Sequence, residues 1–257
     1  MLIVIDIGNT NITIGIYQGE TIIGNYRLTT KMQRTSDEYG FMILNFLNAS
    51  TVDTQDIEDV IISSVVPKIM HSFLNGIRKY MHKEPIVVGP GIKTGISVKA
   101  ENPKAVGSDR IVDAAGAFYE YGGPCLVVDF GTMTTFDYVD EHGNFEFGVI
   151  TLGIETGAQA MSAQAAKLPE IEIKKPNTIL AKNTPTSMQA GLLYGYIGQS
   201  EYIIKKFKEE LGTNMKVIAT GGLGQIIYRN TDYIDIYDRD LTFKGLKHIY
   251  DRYKVSR

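Results

Sequence analysis

The first hydrophobic stretch, Leu2-Ile3-Val4-Ile5-Asp6-Ile7, is almost unbroken, and the next alternates, with Ile12, Ile14 and Ile16 spaced by polar or small residues. A continuous apolar run suits a strand covered on both faces, and alternation suits one that is half covered. Tyr17-Gln18-Gly19-Glu20 then supplies a turn before Thr21-Ile22-Ile23, which completes a β-meander. Thr35 stands three residues before Glu38, the spacing of a capping box, so the apolar stretch Tyr39 to Leu47 is predicted as a helix beginning near residue 36. Val60 to Val66 and Pro85 to Val88 read as buried strands around a helix centred on Phe73 to Tyr80. That order implies a parallel crossover.

The same theme returns in the second half: a strand at 125–129, a turn, Thr135 to Val139, a turn at His142-Gly143-Asn144, and Phe145 to Ile150. Gln189 to Leu211 carries Ile203, Ile204, Phe207 and Leu211 on one stripe, with Gly212 placed as a C-terminal stop, and a short strand Lys216 to Ala219 enters Thr220-Gly221-Gly222. Each half opens on an apolar strand that ends in Asp and is followed by Gly and Thr: Asp6-Ile7-Gly8-Asn9-Thr10 and Asp129-Phe130-Gly131-Thr132. The copies are about one domain's length of chain apart. They are expected to belong to two similar α/β halves facing each other around a cleft, which is what a nucleotide clamp needs.

A chain of 257 residues is long enough for one large or two modest domains. Its 26 basic and 29 acidic residues give a net charge of −3 without a like-charged run, so nucleic acid and anionic membranes are not expected partners. Nothing approaches a membrane span and the start is strand-like rather than a signal peptide, so a cytoplasmic protein is expected. The single cysteine, Cys125, has no partner for a disulfide and reads as packing. His71, His82, His142 and His248 share no metal-ligand spacing and read as surface residues.

An Asp at a strand end can hold magnesium through water, the following Gly lets backbone approach a phosphate, and Thr or Asn side chains donate to it. One such turn is equally a structural hairpin; its repetition favours phosphate binding. There is no Gly-Lys-Ser/Thr P-loop and no Gly-x-Gly-x-x-Gly fingerprint. Ala219-Thr220-Gly221-Gly222-Leu223-Gly224 is an adenosine contact or a plain strand-to-helix turn. Gly107-Ser108-Asp109-Arg110 sets a carboxylate beside a guanidinium: either a proton acceptor with an anion holder, or a helix cap. Thr184, after Lys182-Asn183, is a ligand contact or an N-cap, and Tyr194, Tyr196 and Tyr202 read as packing residues.

Together these segments resemble the type III pantothenate kinases, members of the acetate and sugar kinase, heat-shock ATPase and actin superfamily. The matching residues run in family order: Asp6 to Thr10 with Gly15, Asn102-Pro103 with Gly107 to Arg110, Val128 to Thr132 with Thr134 to Asp137, Gly153-Ile154 with Ala166 to Pro169, Lys182-Asn183-Thr184 with Met188, Gln189 and Gly191, and Thr220 to Leu223. The resemblance implies two ribonuclease H-like/actin-like halves, residues 1–115 and 116–257, each a mixed five-stranded sheet with flanking helices. It also implies ATP-dependent phosphorylation of the terminal hydroxyl of pantothenate, the first step of coenzyme A synthesis, by a homodimer. The alternatives are a non-catalytic regulator like the Bvg accessory factors and a kinase for another small alcohol.

Carried over, the resemblance puts Asp6, Ile7, Gly8, Asn9, Thr10, Asn11, Ile12 and Thr13 at the nucleotide phosphates and magnesium. Thr132, Gly221 and Gly222 fall to ATP, and Asp129 to a monovalent cation, K+ or NH4+. Gly107, Ser108, Asp109 and Arg110 surround pantothenate, with Asp109 as proton acceptor, and Thr184 reaches the substrate from the partner subunit. Ala100 stands in the substrate wall where the family usually has Tyr, and Phe147-Gly148 and Leu152-Gly153 replace the Gly-Gly and Pro-Gly pairs usual in the family.

Overall fold

The apolar opening strand becomes the centre of a sheet. In the computed structural model, which describes residues 1–165 and 167–256, β1 (Leu2–Ile7) lies between β2 (Asn11–Gln18), antiparallel, and β4 (Asp59–Ser64), parallel. With β3 (Thr21–Thr29) and β5 (Ile86–Val87) the order is β3-β2-β1-β4-β5. Both faces of β1 are buried, which is why its hydrophobicity does not alternate. Helices α1 (Ser36–Ala49) and α2 (Pro67–Met81) cover one face, where Ile3, Ile5, Ile7, Tyr39, Ile43, Phe73 and Ile77 form the core. The β-meander and the parallel crossover are as the pattern predicts, but β3 runs on to Thr29, beyond the short apolar triplet at its start.

The capping box forms. The Thr35 hydroxyl accepts the Glu38 backbone N–H at 3.3 Å, and the Glu38 carboxylate accepts the Thr35 N–H at 2.7 Å. Thr35→Ala is expected to cost about 1 kcal/mol, read as a lower urea midpoint at unchanged slope. An unchanged midpoint would show that α1 is held by packing alone.

After a short strand β6 (Ser97–Val98), α3 (Ser108–Tyr121) starts against the end of β4, where the Ser108 hydroxyl bonds the Ser64 backbone. The unit is completed from the far end of the chain, since the first compact unit is Met1–Glu120 with Thr242–Arg257 and the second is Tyr121–Leu241. The expected halves, 1–115 and 116–257, give the last segment to the second half, because its return cannot be seen in local hydrophobicity. Gly15 shows how close that return is: a Cβ there would sit 2.8 Å from Val4 and 3.0 Å from Phe243.

The second unit repeats the first. Its strands β7 (Cys125–Phe130), β8 (Met133–Val139), β9 (Asn144–Leu152), β10 (Lys216–Thr220) and β11 (Ile236–Tyr237) run in the order β11-β10-β7-β8-β9. Again the central strand pairs antiparallel on one side and parallel on the other. Leu126, Val128, Phe130 and Phe136 pack with residues of α4 (Ile154–Gln164), α5 (Thr184–Leu211) and α6 (Gly224–Tyr228), including Ile154, Leu193, Ile204 and Ile227. Gly212 terminates α5 in the left-handed conformation, at φ +59°.

The final helix, α7 (Leu241–Val255), buries Phe243, Leu246 and Ile249 in the first unit. Thr242 donates to the buried Asp113 of α3 at 2.6 Å, and Gly245 lies against the Val112 carbonyl with no room for a Cβ. Cys125 is buried, and burial pushes its thiol up to about 12, so the packing role stands. His71, His82 and His142 are exposed; His248 is half-buried against Glu120, 2.6 Å away, so for it the surface reading is incomplete. Among the described residues no helix is long and apolar enough to cross a membrane.

Candidate functional site

The turn after β1 is a tight hairpin, with Asn9 and Thr10 at its tip and the Gly8 N–H donating to the Asn11 carbonyl at 3.0 Å. The end of β3 clamps it, since Thr30 donates its hydroxyl to the Gly8 carbonyl (2.8 Å) and its N–H to the Thr10 carbonyl (2.9 Å). Ile7 and Ile12 are fully buried, so of the segment from Asp6 to Thr13 they can offer a ligand only backbone, whereas Asn9 is exposed. Asp6 stands in register with Thr13 on β2 and Ser63 on β4. Adjacent in-register residues project from one face, so the carboxylate is flanked by two hydroxyls. Such a donor set of hard oxygens suits magnesium, which keeps several waters and takes one or two carboxylates together with substrate phosphates.

Beside this turn, at the same end of the sheet, lies the start of α3. The Ser108 hydroxyl donates to the Ser64 carbonyl at 3.0 Å, accepts the Ser64 N–H at 3.1 Å, and lies 3.1 Å from Ser63 Oγ. Asp109, the next residue, is partly buried; its Oδ1 accepts the Arg110 backbone N–H at 2.8 Å and packs against Gly107, where a Cβ would collide with it. Burial, only partly offset by that N–H and by the Arg110 guanidinium, pushes the Asp109 carboxyl above the usual carboxylate range. A carboxylate raised in this way is poised to take a proton. The structure thus brings the Asp6 turn and the Gly107–Arg110 turn together through the end of β4.

The second unit holds its own cluster. Asp129 stands in register with Thr135 on β8 and with the buried Thr220 on β10. Gly221, at φ +92°, comes so close that a Cβ would sit 2.6 Å from Asp129 Oδ1 and from the Phe130 carbonyl, and Tyr237 holds the Gly221 carbonyl at 2.9 Å. Thr132 is exposed and its carbonyl accepts the Thr156 hydroxyl at 2.8 Å, while Gly153 packs on the carbonyls of Gly131 and Thr132 without space for a side chain. Gly222 is exposed and open around its Cα.

Thr184 is the first residue of α5 and is exposed. The cap is Asn183, whose side chain accepts the Thr186 N–H at 3.0 Å, so the N-cap reading of Thr184 is displaced by one residue. Ala100 is partly exposed in the loop after β6, and Phe147 is exposed beside Tyr138, with ring centroids 6.2 Å apart. Ala166 of the Ala166–Pro169 segment lies outside the described residues. Sequence reasoning missed Thr30, Ser63 and Thr156. Hydroxyls that orient other residues carry no pattern of their own; Val60 to Val66 read as one strand, whereas the structure ends it at Ser64.

Residues 2–206 match the family model described as type III pantothenate kinase. A type III pantothenate kinase of Agathobacter rectalis is 56% identical, over 97% of this chain and 96% of that protein, and one of Bifidobacterium longum subsp. infantis is 54% identical, over 98% and 99%. Among solved structures, a conserved putative Baf family transcriptional activator from Campylobacter jejuni superposes with a TM-score of 0.60 at 20% identity, covering 97% of this chain and 98% of that one, a likeness of fold. Both units accordingly have the actin-like α/β fold that the resemblance implied. Matched nearly end to end by relatives more than half identical to it, the chain belongs to the type III pantothenate kinase family, enzymes that use ATP with magnesium to phosphorylate pantothenate on the route to coenzyme A.

Proposed function

We propose that this chain transfers the γ-phosphoryl group of ATP to the terminal hydroxyl of pantothenate at the Asp6 and Asp109 turns, giving 4'-phosphopantothenate. The observation that carries the assignment is the partly buried carboxyl of Asp109, raised by burial and fixed one residue from the Ser108 anchor on β4. Asp109 takes the proton as the hydroxyl oxygen bonds to phosphorus and the bond to the ADP oxygen breaks. Arg110 holds the anionic end of pantothenate, and Gly107 and Ala100 line the substrate. The backbone of Gly8 to Asn11 cradles phosphates, with Asn9, Thr10 and Thr13 donating from side chains. Magnesium held at Asp6, through water, supplies charge neutralisation. Such a transfer needs positioning and electrostatics rather than a covalent nucleophile.

Thr132, Gly221 and Gly222 serve ATP, and Asp129 holds a monovalent cation, K+ or NH4+. The protein works as a cytoplasmic homodimer in which the exposed Thr184 of one subunit serves the substrate site of the other. A coupled assay with ATP, magnesium and potassium tests this reading. Pantothenate is expected to be turned over and a sugar not, and replacing K+ by a bulky organic cation is expected to cost at least about tenfold, the scale of one lost charge-assisted contact. Normal ATP binding without turnover of any alcohol would support the regulator instead, and turnover of another alcohol alone would redirect the substrate.

A further inference from the structure

The geometry points to Ser63 as a positioning residue for the transfer, a role that rests on the reading of Asp109 as proton acceptor. Ser63 is fully buried, at 0% exposure, and stands in register with Asp6. Its hydroxyl therefore lies beside the Asp6 side chain, on the face of the sheet where α3 begins. The direction of its bond to Ser108 follows from counting. A serine hydroxyl has one proton and two lone pairs. The Ser108 proton goes to the Ser64 carbonyl and one lone pair takes the Ser64 N–H, which leaves the second lone pair for the Ser63 hydroxyl as donor.

That third bond has a mechanical consequence. The two bonds from Ser108 to Ser64 both run to one residue's backbone, and the turn that carries Asp109 can still tilt about them. The Ser63 bond comes from the neighbouring residue and opposes the tilt, so one buried hydroxyl beside Asp6 helps hold the turn that carries Asp109. The second unit shows the same placement, since Asp129 is in register with Thr220, itself 2% exposed and followed by the close approach of Gly221. A small displacement of a reacting group is enough to slow a reaction by one or two orders of magnitude.

Ser63→Ala, Ser108→Ala and the double variant decide the matter. Ser63→Ala is expected to lower kcat about tenfold while the dissociation constant of ATP stays unchanged, and the double variant is expected to fall no further than the worse single one. Hydrogen exchange at the Ile111 amide, which donates to the Gly107 carbonyl at 3.3 Å, is expected to quicken in Ser63→Ala with α1 unaffected. Unaltered kcat and exchange in Ser63→Ala, or effects that multiply in the double variant, would overturn the role. If Ser63→Ala does not fold, Ser63→Cys, similar in size with a weaker donor, is expected to show the same two changes, smaller. A parent protein that turns over no pantothenate would refute the proposed reaction instead, and the exchange rates would still rule on Ser63.

Discussion

Asp109→Asn lowers kcat by about 10²- to 10⁴-fold, the range a positioned general base supplies, and leaves ATP affinity within about twofold if the carboxylate serves the acceptor and not the nucleotide. The substitution is nearly isosteric, so Gly107 and the Arg110 N–H keep a partner of the same size. The pH behaviour separates a base from a mere structural carboxylate. Because burial raises the Asp109 carboxyl, the group becomes protonated on acidification at a pH above that of an ordinary carboxylate, and the parent's rate falls along with the ionised fraction. Asp109→Asn shows no such acid limb in its residual rate. Stability moves the opposite way. Between the unfolded and folded values the native state binds the proton more tightly, so stability is lost as the pH rises through that window. Asn carries no charge to bury, and thermal melts at neutral pH are expected to show the variant at least as stable as the parent. Full activity in Asp109→Asn would remove the residue from the reaction.

How much of this was legible in the sequence follows from how local each cause is. The capping box at Thr35 and Glu38, the glycine stop at Gly212 and the unbroken run of β1 are set by neighbours a few residues away, and they appear where the pattern puts them. The repeated Asp-x-Gly turn was readable because both copies end the central strand of the same strand order. What escaped depends on distant partners. No property of residues 241–255 announces that α7 returns to α3, since the decisive contacts are one threonine on Asp113 and one glycine on Val112. Thr30, Ser63 and Thr156 escaped for the same reason: the hydroxyl of each bonds a residue more than twenty positions away.

At Gly221 a single methyl group would press directly on the Asp129 side chain. Its φ of +92° is a conformation that L side chains rarely adopt, and an alanine Cβ would stand 2.6 Å from both Asp129 Oδ1 and the Phe130 carbonyl, the latter being backbone that cannot rotate away. The strain alone is worth about 1–3 kcal/mol. It is relieved only by moving the Gly221 turn off Asp129, which the Tyr237 bond to the Gly221 carbonyl resists. Gly221→Ala is therefore expected to lower the melting temperature by several degrees, about 2–4 °C per kcal/mol for a chain of this size, and to weaken ATP binding or potassium activation at least tenfold, about 1.4 kcal/mol or more. Gly222→Ala is the internal control, because its Cα faces open space and its neighbour's strain is untouched. Stability is expected to stay near the parent's there, so a loss of ATP affinity confined to Gly222→Ala would mark direct ligand contact, whereas the paired loss of stability and affinity in Gly221→Ala marks the turn geometry. If Gly221→Ala melts and binds like the parent, the close approach to Asp129 is not part of the proposed nucleotide or cation site.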